Sequence, residues 1–244
     1  MAHFRAAQEV EAAKRVQELF TTSKDTLQER LDSFPKYVRR PVLTRFLALY
    51  EIFKRILPVK GSIVECGVFR GFGLMSWAKL SAILEPTNLT RRIYGFDSFE
   101  GFPSPHTKDK NSMIPARKGH LSSNSFDELN SLIGLFDQDR YLGHIPKVKL
   151  IKGDARKTVP KFVKDNRQLV ISLLFLDFDL YEPTRLALKH FIPRMPRGSV
   201  VAFDELDNPI WPGETEALLE EGGIHKYRIE RLQFDPYIGF AVIE

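Results

Sequence analysis

The chain has 244 residues, of which 43% are hydrophobic and 27% are charged, and these values are typical of a globular protein with a substantial core. No apolar run approaches the roughly 18 residues that cross a bilayer, and residues 1–10 lack a signal-peptide pattern, so we expect no membrane partner. The single cysteine, Cys66, excludes an intrachain disulfide and a cysteine metal cluster, and it predicts a buried thiol in a cytoplasmic protein.

The net charge of +5 resides in the first quarter of the chain. Residues 1–60 hold twelve Lys and Arg against seven Asp and Glu, so the remainder is neutral. A basic segment could attract an anionic partner, whereas the alternative is a solvated helix face. No nucleic-acid-binding motif supports the first interpretation, so we expect no nucleic-acid partner.

Helical spacing of apolar residues predicts two N-terminal helices, over 5–20 and 41–57. Pro41 suits the first turn of the second helix. We therefore predict that residues 1–60 form a helical extension, which serves as a lid or an oligomer interface, and that residues 61–244 form the main domain. A homo-oligomer is the expected assembly.

From Ser62 onward, β-rich apolar runs alternate with helix-like segments. The predicted strands are 62–68, 92–97, 147–153, 169–177 and 198–204, and the predicted helices are 73–84, 124–136, 156–165, 182–195 and 213–221. Two late runs, 225–234 and 237–243, are separated by Asp235-Pro236 and predict an antiparallel pair. Because the central runs are apolar on consecutive positions, the pattern predicts a Rossmann-like α/β fold, with a mostly parallel seven-stranded sheet covered on both faces.

Each of the five predicted parallel strands ends in a glycine or a carboxylate. The positions are Gly67, Asp97, Gly153-Asp154, Asp177 and Asp204-Glu205. Open α/β sheets bind ligands at the carboxyl ends of their strands, so these residues predict one site at that edge.

The first loop, 65–73, contains three glycines that permit a tight turn before a helix. Its spacing matches neither G-x-G-x-x-G nor a P-loop. Asp97 ends the second strand, where nucleoside-binding folds place an acid against the ribose hydroxyls, although it could instead cap a local turn. Asp154 could face an adenine or cap the next helix.

The acids Asp177, Asp179, Asp204 and Glu205 suggest a metal site. Adjacent parallel strands would bring at least Asp177 and Asp204 close together, and such carboxylates repel unless a proton or a cation neutralises them. Oxygen ligands without Cys or His favour Mg²⁺. The alternative is a set of helix caps and solvated strand ends.

The polar stretch 103–125 is longer than ordinary loops, and such segments often cover active sites. His106 and His120 lie in it and could contact a substrate, although surface histidines are commoner. Phe99 could lie against a base, whereas packing is the simpler role for this residue and for Trp77.

Four motifs resemble the macrocin O-methyltransferase (TylF-type) family, over residues 65–71, 96–103, 176–184 and 203–205. The resemblance runs from about Lys60 to Glu221. It implies a class I methyltransferase fold, S-adenosylmethionine and Mg²⁺ as cofactors, and a hydroxylated small molecule, a sugar or glycoside, as acceptor. It also implies that Asp177, Asp204 and Glu205 bind the metal, where the family often has two aspartates after the fifth strand.

The resemblance further implies that Asp179 is the general base and Asp97 the ribose ligand. The full set of predicted cofactor-binding residues is Glu65, Gly67, Arg70, Gly71, Gly73, Asp97, Ser98, Phe99, Asp154 and Ala155. The expected reaction is a direct methyl transfer after Asp179 removes a proton from an acceptor hydroxyl. The segment 211–215 receives no role.

Three alternatives stay open at this point. A catechol-like phenol offers the same neighbouring hydroxyls as a sugar. A nicotinamide-dependent oxidoreductase would use the glycine loop and Asp97, but it has no need of the acidic cluster. A binding module without activity could keep the fold.

Overall fold

A computed structural model describes residues 6–110 and 116–244 of the chain. Arg5, the start of the helix predicted over 5–20, and residues 111–115 of the polar stretch 103–125 lie outside the described residues. No helix among the described residues is both long enough and apolar enough to cross a membrane.

The chain divides into two compact units, Met1–Leu47 and Ala48–Glu244. The helices, in chain order, are α1 (Ala7–Thr22), α2 (Leu27–Asp32), α3 (Arg40–Ile56), α4 (Phe72–Leu84), α5 (Phe126–Asp139), α6 (Ala155–Asp165), α7 (Tyr181–Phe191) and α8 (Gly213–Ala217).

The first unit contains α1, α2 and the start of α3, and no residue of α1 or α2 is buried. Contacts of Phe20 with Arg30 and Tyr37 join the segments of this unit. The Arg30 guanidinium donates to the Phe20 carbonyl oxygen at 2.6 Å, and the Phe20 ring packs edge-on against Tyr37 with ring centroids 5.0 Å apart. Thr26 caps α2 by accepting from the backbone N–H of Glu29.

The second unit is built on a seven-stranded sheet of order β3-β2-β1-β4-β5-β7-β6. Its strands are β1 (Ser62–Cys66), β2 (Ile93–Asp97), β3 (Val148–Lys152), β4 (Ile171–Leu176), β5 (Val200–Phe203), β6 (Glu230–Arg231) and β7 (Gly239–Val242). The first five strands are parallel, while β7 runs antiparallel to both β5 and β6. The predicted Rossmann-like α/β fold with a terminal antiparallel pair is confirmed.

The central strands are apolar on consecutive positions because helices cover both faces of the sheet. Every residue of β1, β4 and β5 is buried. The Phe96 ring packs against Phe162 of α6 and Phe191 of α7, at centroid distances of 5.2 and 5.6 Å. Trp77 of α4 packs against Phe53 of α3 and Phe175 of β4, so its predicted packing role is confirmed.

Four elements differ from the sequence-based prediction. Helix α2 was not expected, because six residues are too few to establish a 3.6-residue period. The strand predicted over 225–234 is reduced to Glu230–Arg231, and residues 224–226 form a 3₁₀ turn instead. The helices predicted over 182–195 and 213–221 end as a 3₁₀ turn (Ile192–Arg194) and a π-helical turn (Leu218–Gly222).

A buried basic group lies at the amino ends of β2 and β3. Lys147, just before β3, is 5% exposed and donates to the Asn88 carbonyl oxygen at 2.9 Å. Desolvation lowers the pKa of Lys147 to about 8, with Glu85 opposing the shift and Arg140 and the neighbouring Arg91 adding to it. This ammonium is therefore a destabilising element of the fold at neutral pH.

We expect Lys147→Met to stabilise the protein at pH 7. The pKa of Lys147 is about 8 when folded against an ordinary value of 10.5. Between these two values the unfolded chain binds more protons, so stability rises with pH, and the penalty is complete below pH 8. Because Lys147→Met also removes the hydrogen bond to the Asn88 carbonyl oxygen, the net gain in the free energy of unfolding at neutral pH should be about 1–2 kcal/mol.

Urea denaturation at pH 7 and pH 10 measures this difference. Lys149→Met is the matched control, because Lys149 is an exposed residue of β3. The prediction fails if the Lys147 variant is no more stable than the Lys149 variant at pH 7, or if its advantage does not shrink toward pH 10.

Candidate active site

The loop after β1 brings the backbone close to the end of β4. Gly67 has φ +98°, and a Cβ placed on it would lie 1.9 Å from the carbonyl oxygen of Asp177, so glycine is required here. Gly71, at φ +83°, precedes the first turn of α4. The first backbone N–H groups of this helix therefore lie at the edge where β1 and β4 end.

Glu65 lies beneath the same loop. It is 2% exposed in β1, and its Oε1 lies 2.4 Å from the position that a Cβ on Gly73 would take. The carboxylate is thus held against the first turn of α4, where the positive end of the helix dipole stabilises it.

Asp97 fastens the glycine loop to the loop after β2. Its Oδ2 accepts from the backbone N–H groups of Val68 and Phe69 at 2.8 and 2.7 Å, and its Oδ1 accepts from the Phe99 N–H at 2.6 Å. A carboxylate has about four acceptor positions, so three backbone donors leave about one for a ligand. The turn-capping alternative is therefore observed, and about one acceptor position of the carboxylate stays open.

The residues around Asp97 are packed locally. Phe99 has φ +59° and is 6% exposed, and its ring packs edge-on against Phe126 at 5.2 Å. The Ser98 hydroxyl donates to the Gly101 carbonyl oxygen at 2.8 Å. The exposed Arg70 guanidinium lies 5.3 Å from the Phe69 ring centroid. Of the two roles considered for Phe99, packing is the one observed.

Asp154 is the N-cap of α6, which is one of its two predicted roles. Its Oδ1 accepts from the Arg156 N–H at 2.9 Å, and its Oδ2 pairs with the Arg156 guanidinium at 2.6 Å. Hydrogen bonding by Arg156 lowers the pKa of Asp154. Ala155, the first residue of α6, is buried.

The sheet register brings the acidic residues of β4 and β5 together. Leu176 pairs with Phe203, so Asp177 and Asp204 are the next residues on adjacent parallel strands. The backbone N–H of Asp204 donates to the Leu176 carbonyl oxygen at 2.9 Å and prolongs the pairing to the edge. This arrangement agrees with the expected clustering of the two acids.

Asp179 and Glu205 complete the predicted acidic group. Asp179 is 8% exposed and has φ +60°, a conformation that non-glycine residues adopt mainly when surrounding structure holds them there. The Glu205 carboxylate accepts a hydrogen bond from the side-chain amide of Asn208. Both residues therefore lie in the turns that follow β4 and β5.

Glu214 is a site residue that the sequence analysis missed. It lies in the first turn of α8, is fully buried, and accepts from the Glu205 backbone N–H through Oε2 at 3.1 Å. Burial raises the pKa of Glu214 well above its ordinary value, and repulsion from Asp179 adds to the effect. Pro212-Gly213 signals a turn, but nothing in the sequence shows that the turn folds back onto Glu205.

The donors at this edge suit a hard divalent cation, since all of them are carboxylates and Oε1 of the buried Glu214 has no hydrogen-bond partner among the described residues. Within residues 6–110 and 116–244, no three acidic, His or Cys side chains already stand in a metal-holding arrangement. Binding of a cation would therefore have to draw the carboxylates together.

The described parts of the stretch 103–125 pack beside these acids. Asp109 is 2% exposed and accepts from the backbone N–H groups of His106 and Tyr181, both at 2.6 Å. The His120 ring lies between Phe102 and Trp211, at centroid distances of 5.7 and 5.8 Å. This segment is thus fastened to the start of α7 and to the turn before α8.

Cys66 is fully buried at the end of β1, and burial raises the pKa of its thiol well above the ordinary value. A protonated thiol is a poor nucleophile, which agrees with the expectation that Cys66 is a buried small residue.

Comparison with known proteins identifies the family. The sequence profile of Macrocin-O-methyltransferase (TylF) matches residues 43–220, which is most of the chain. The chain belongs to the TylF family. The predicted resemblance to this family is therefore confirmed.

Two solved structures of CalS11 resemble nearly the whole chain. A crystal structure of CalS11, described as a calicheamicin methyltransferase, is 34% identical, with a TM-score of 0.94 over 98% of this chain and 93% of that one. An apo structure of CalS11, described as a TDP-rhamnose 3'-O-methyltransferase, is 32% identical, with a TM-score of 0.85 over 98% of this chain and 95% of that one.

A curated relative from Streptomyces olivaceus is 29% identical over 152 residues, which cover 60% of this chain. It is described as 8-demethyl-8-(2,3-dimethoxy-alpha-L-rhamnosyl)-tetracenomycin-C 4'-O-methyltransferase. The match spans about half of that relative, 53% of its length.

We expect Asp97→Asn to destabilise this TylF-family chain by about 1–3 kcal/mol, because an amide nitrogen cannot accept the backbone N–H that the carboxylate oxygen binds. Urea denaturation measures the effect, with Asp139→Asn at the exposed end of α5 as the matched control. Equal stability of the two variants would contradict the fastening role of Asp97.

Proposed function

We propose that the chain is an S-adenosylmethionine-dependent O-methyltransferase that uses a divalent cation, expected to be Mg²⁺, and acts on a hydroxyl group of a sugar or glycoside. The observation that carries this proposal is the meeting of Asp177 and Asp204 at the carboxyl edge, with Asp179 and Glu205 beside them, in a chain of the TylF family. A hydride-transfer enzyme has no need of such a group.

The cofactor is expected at the ends of β1 and β2. The turn at Gly67, the N-terminal turn of α4 and the remaining acceptor position of Asp97 supply backbone donors and one carboxylate acceptor. This set suits a nucleoside with a charged amino-acid tail. Arg70, Ser98, Phe99, Asp154 and Ala155 line the adjoining loops and stay predicted cofactor residues.

The cation is expected at Asp177, Asp204 and Glu205. When bound, adenosylmethionine supplies the reactive methyl group, and a divalent cation supplies the positive charge that makes a neighbouring hydroxyl more acidic. The carboxylates of this chain hold that charge beside the acceptor. The side chain of Glu205 reaches one methylene farther than the aspartate that the family often has at its position.

Asp179 is proposed as the general base. Its low exposure and fixed turn keep one orientation, and its position after β4 is adjacent to the proposed cation ligands. In this role it accepts the proton of an acceptor hydroxyl while the methyl group is transferred in line. Positioning and charge stabilisation would provide most of the rate gain.

A rhamnose-type sugar is the proposed acceptor class. The descriptions of two compared proteins both name rhamnose, as a TDP-sugar for CalS11 and as a rhamnosyl group for the Streptomyces olivaceus enzyme. Neighbouring hydroxyls of a catechol could satisfy the same carboxylate-held cation, so a phenolic acceptor is the second candidate. The homo-oligomer and the cytoplasmic location stay predictions.

Calorimetric titration of the purified chain tests the cofactor. We expect adenosylmethionine to bind with micromolar affinity, with and without Mg²⁺, and NADH not to bind, because the glycine spacing of loop 65–73 differs from the G-x-G-x-x-G of dinucleotide-binding folds. Binding of NADH alone would overturn the methyltransferase proposal in favour of an oxidoreductase.

Two variants test the assigned roles. Asp177→Asn should weaken both the binding of Mg²⁺ and methyl transfer, because it removes a charged ligand. Asp179→Asn should leave the affinity for adenosylmethionine unchanged and lower kcat by about 10²–10⁴-fold, as loss of a general base does. Full activity in either variant would overturn the role assigned to the substituted residue.

Assays on TDP-rhamnose, a rhamnosyl glycoside and catechol separate the acceptor classes.

A further inference from the structure

Three aromatic rings pack together on the loops beside the proposed base. The Trp211 ring centroid lies 5.5 Å from that of Phe102 and 5.8 Å from that of His120, and the Phe102 and His120 centroids are 5.7 Å apart. Phe102 is 8% exposed, whereas Trp211 and His120 are only partly buried. Two rings therefore support Trp211 while part of this residue stays accessible to solvent and to a ligand.

The backbone holds Phe102 and His120 in a fixed arrangement. The Phe102 N–H donates to the His120 carbonyl oxygen, and the Gly119 N–H donates to the Phe102 carbonyl oxygen, both at 2.9 Å. Gly101 has φ +80°, and a Cβ on it would lie 2.5 Å from the His120 carbonyl oxygen, so glycine is required at this close approach. Trp211 thus packs on a preformed surface, and little further ordering is needed when a ligand binds.

Trp211 is anchored beside the turn that carries Asp179. Gly213, two residues later, packs so closely that a Cβ on it would lie 2.8 Å from the Asp179 carbonyl oxygen. The Thr215 hydroxyl oxygen accepts from the Asp207 N–H at 3.0 Å, which ties the same segment to the turn after β5. Because two residues span at most about 7 Å, the Trp211 backbone lies close to the proposed base.

An aromatic surface next to a carboxylate suits a pyranose. A sugar such as rhamnose has hydroxyl groups around its edge and faces made largely of C–H groups. The face of an aromatic ring carries partial negative charge, so it attracts C–H groups and also shields them from water. A carboxylate accepts the proton of a hydroxyl at the edge. Trp211 and Asp179 therefore offer the two kinds of contact that one sugar ring needs.

We propose that Trp211, supported by Phe102 and His120, is the stacking surface for the acceptor sugar and holds its ring while a hydroxyl faces Asp179. This assignment rests on the proposed function and deepens it, because it names the part of the chain that recognises the sugar ring. It gives segment 211–215, to which the sequence pattern assigned no role, a place in acceptor binding.

Tryptophan fluorescence tests the proposal, because the chain has only two tryptophans. Trp77 is 0% exposed and packs between Phe53 and Phe175, so a bound sugar does not contact it. We expect TDP-rhamnose to shift the emission of the unaltered full-length chain, with S-adenosylhomocysteine present so that no methyl transfer occurs. Trp211→Phe keeps a ring at this position but should lose the response, since only Trp77 then emits.

Steady-state kinetics supply a second readout. We expect Trp211→Ala to raise KM for TDP-rhamnose about tenfold, as loss of one aromatic stacking contact does, while Trp211→Phe should raise it by about threefold or less. Adenosylmethionine affinity should be unchanged in both variants. Tyr141→Ala is the matched control, because Tyr141 is a 64% exposed aromatic residue before β3, and it should keep the KM of the unaltered chain.

Each outcome separates this inference from the proposed function. If the chain binds no adenosylmethionine, the proposed function fails. If TDP-rhamnose binds by calorimetry but leaves the emission unchanged, only the role of Trp211 is overturned. If TDP alone reproduces the emission change, the nucleotide base stacks on Trp211 and the sugar does not. If TDP-rhamnose and a methyl rhamnoside both fail to bind, the sugar subsite is overturned, whether catechol binds or not.

Acrylamide quenching of the unaltered chain covers a failure of the Trp211 variants to fold. Because Trp77 is fully buried, the part of the emission that acrylamide quenches belongs to Trp211. Bound TDP-rhamnose should protect this part from quenching, and unchanged quenching in the presence of bound TDP-rhamnose contradicts the stacking.

Discussion

Repulsion between carboxylates at the ends of β4 and β5 is the constraint around which the acidic half of the site is organised. The register of these strands makes Asp177 and Asp204 neighbours, and a left-handed turn and the start of α8 add Asp179 and Glu214. Like charges at this density destabilise the fold unless a proton or a cation neutralises them. Acidic residues gathered in this way are typical of functional sites.

The other half of the site has the opposite character. Where β1 and β2 end, Asp97 accepts from three backbone N–H groups, two of which lie 28 and 29 positions earlier in the chain. Because that carboxylate is mostly occupied, its first role is to hold two loops in register. The edge therefore has backbone N–H groups held by Asp97 at the ends of β1 and β2, and a group of carboxylates at the ends of β4 and β5.

The sequence predicted the parts of this arrangement that depend on strand order. Apolar runs that stop at Gly67, Asp97, Asp177 and Asp204 locate the edge, since the ends of parallel strands always meet. It did not predict the position of Glu214 or the hydrogen bonds from Val68 and Phe69 to Asp97, because both depend on contacts between segments that are distant in the sequence. Helix α2 was missed because a six-residue helix is stabilised by the capping contact at Thr26 more than by an apolar period.

The contrast between features that depend on strand order and features that depend on loops explains why the reaction is easier to infer than the acceptor. The proposed acids follow strands of the sheet, so their relative positions are set by backbone pairing that a whole family can share. Trp211, His120 and Phe102 pack together on the loops beside these acids, and loops vary without disturbing the sheet. Under the proposed function, selectivity between a rhamnose-type sugar and a phenol would therefore reside in this aromatic group, because neighbouring hydroxyls of either acceptor offer the same oxygen atoms to a cation held by the carboxylates.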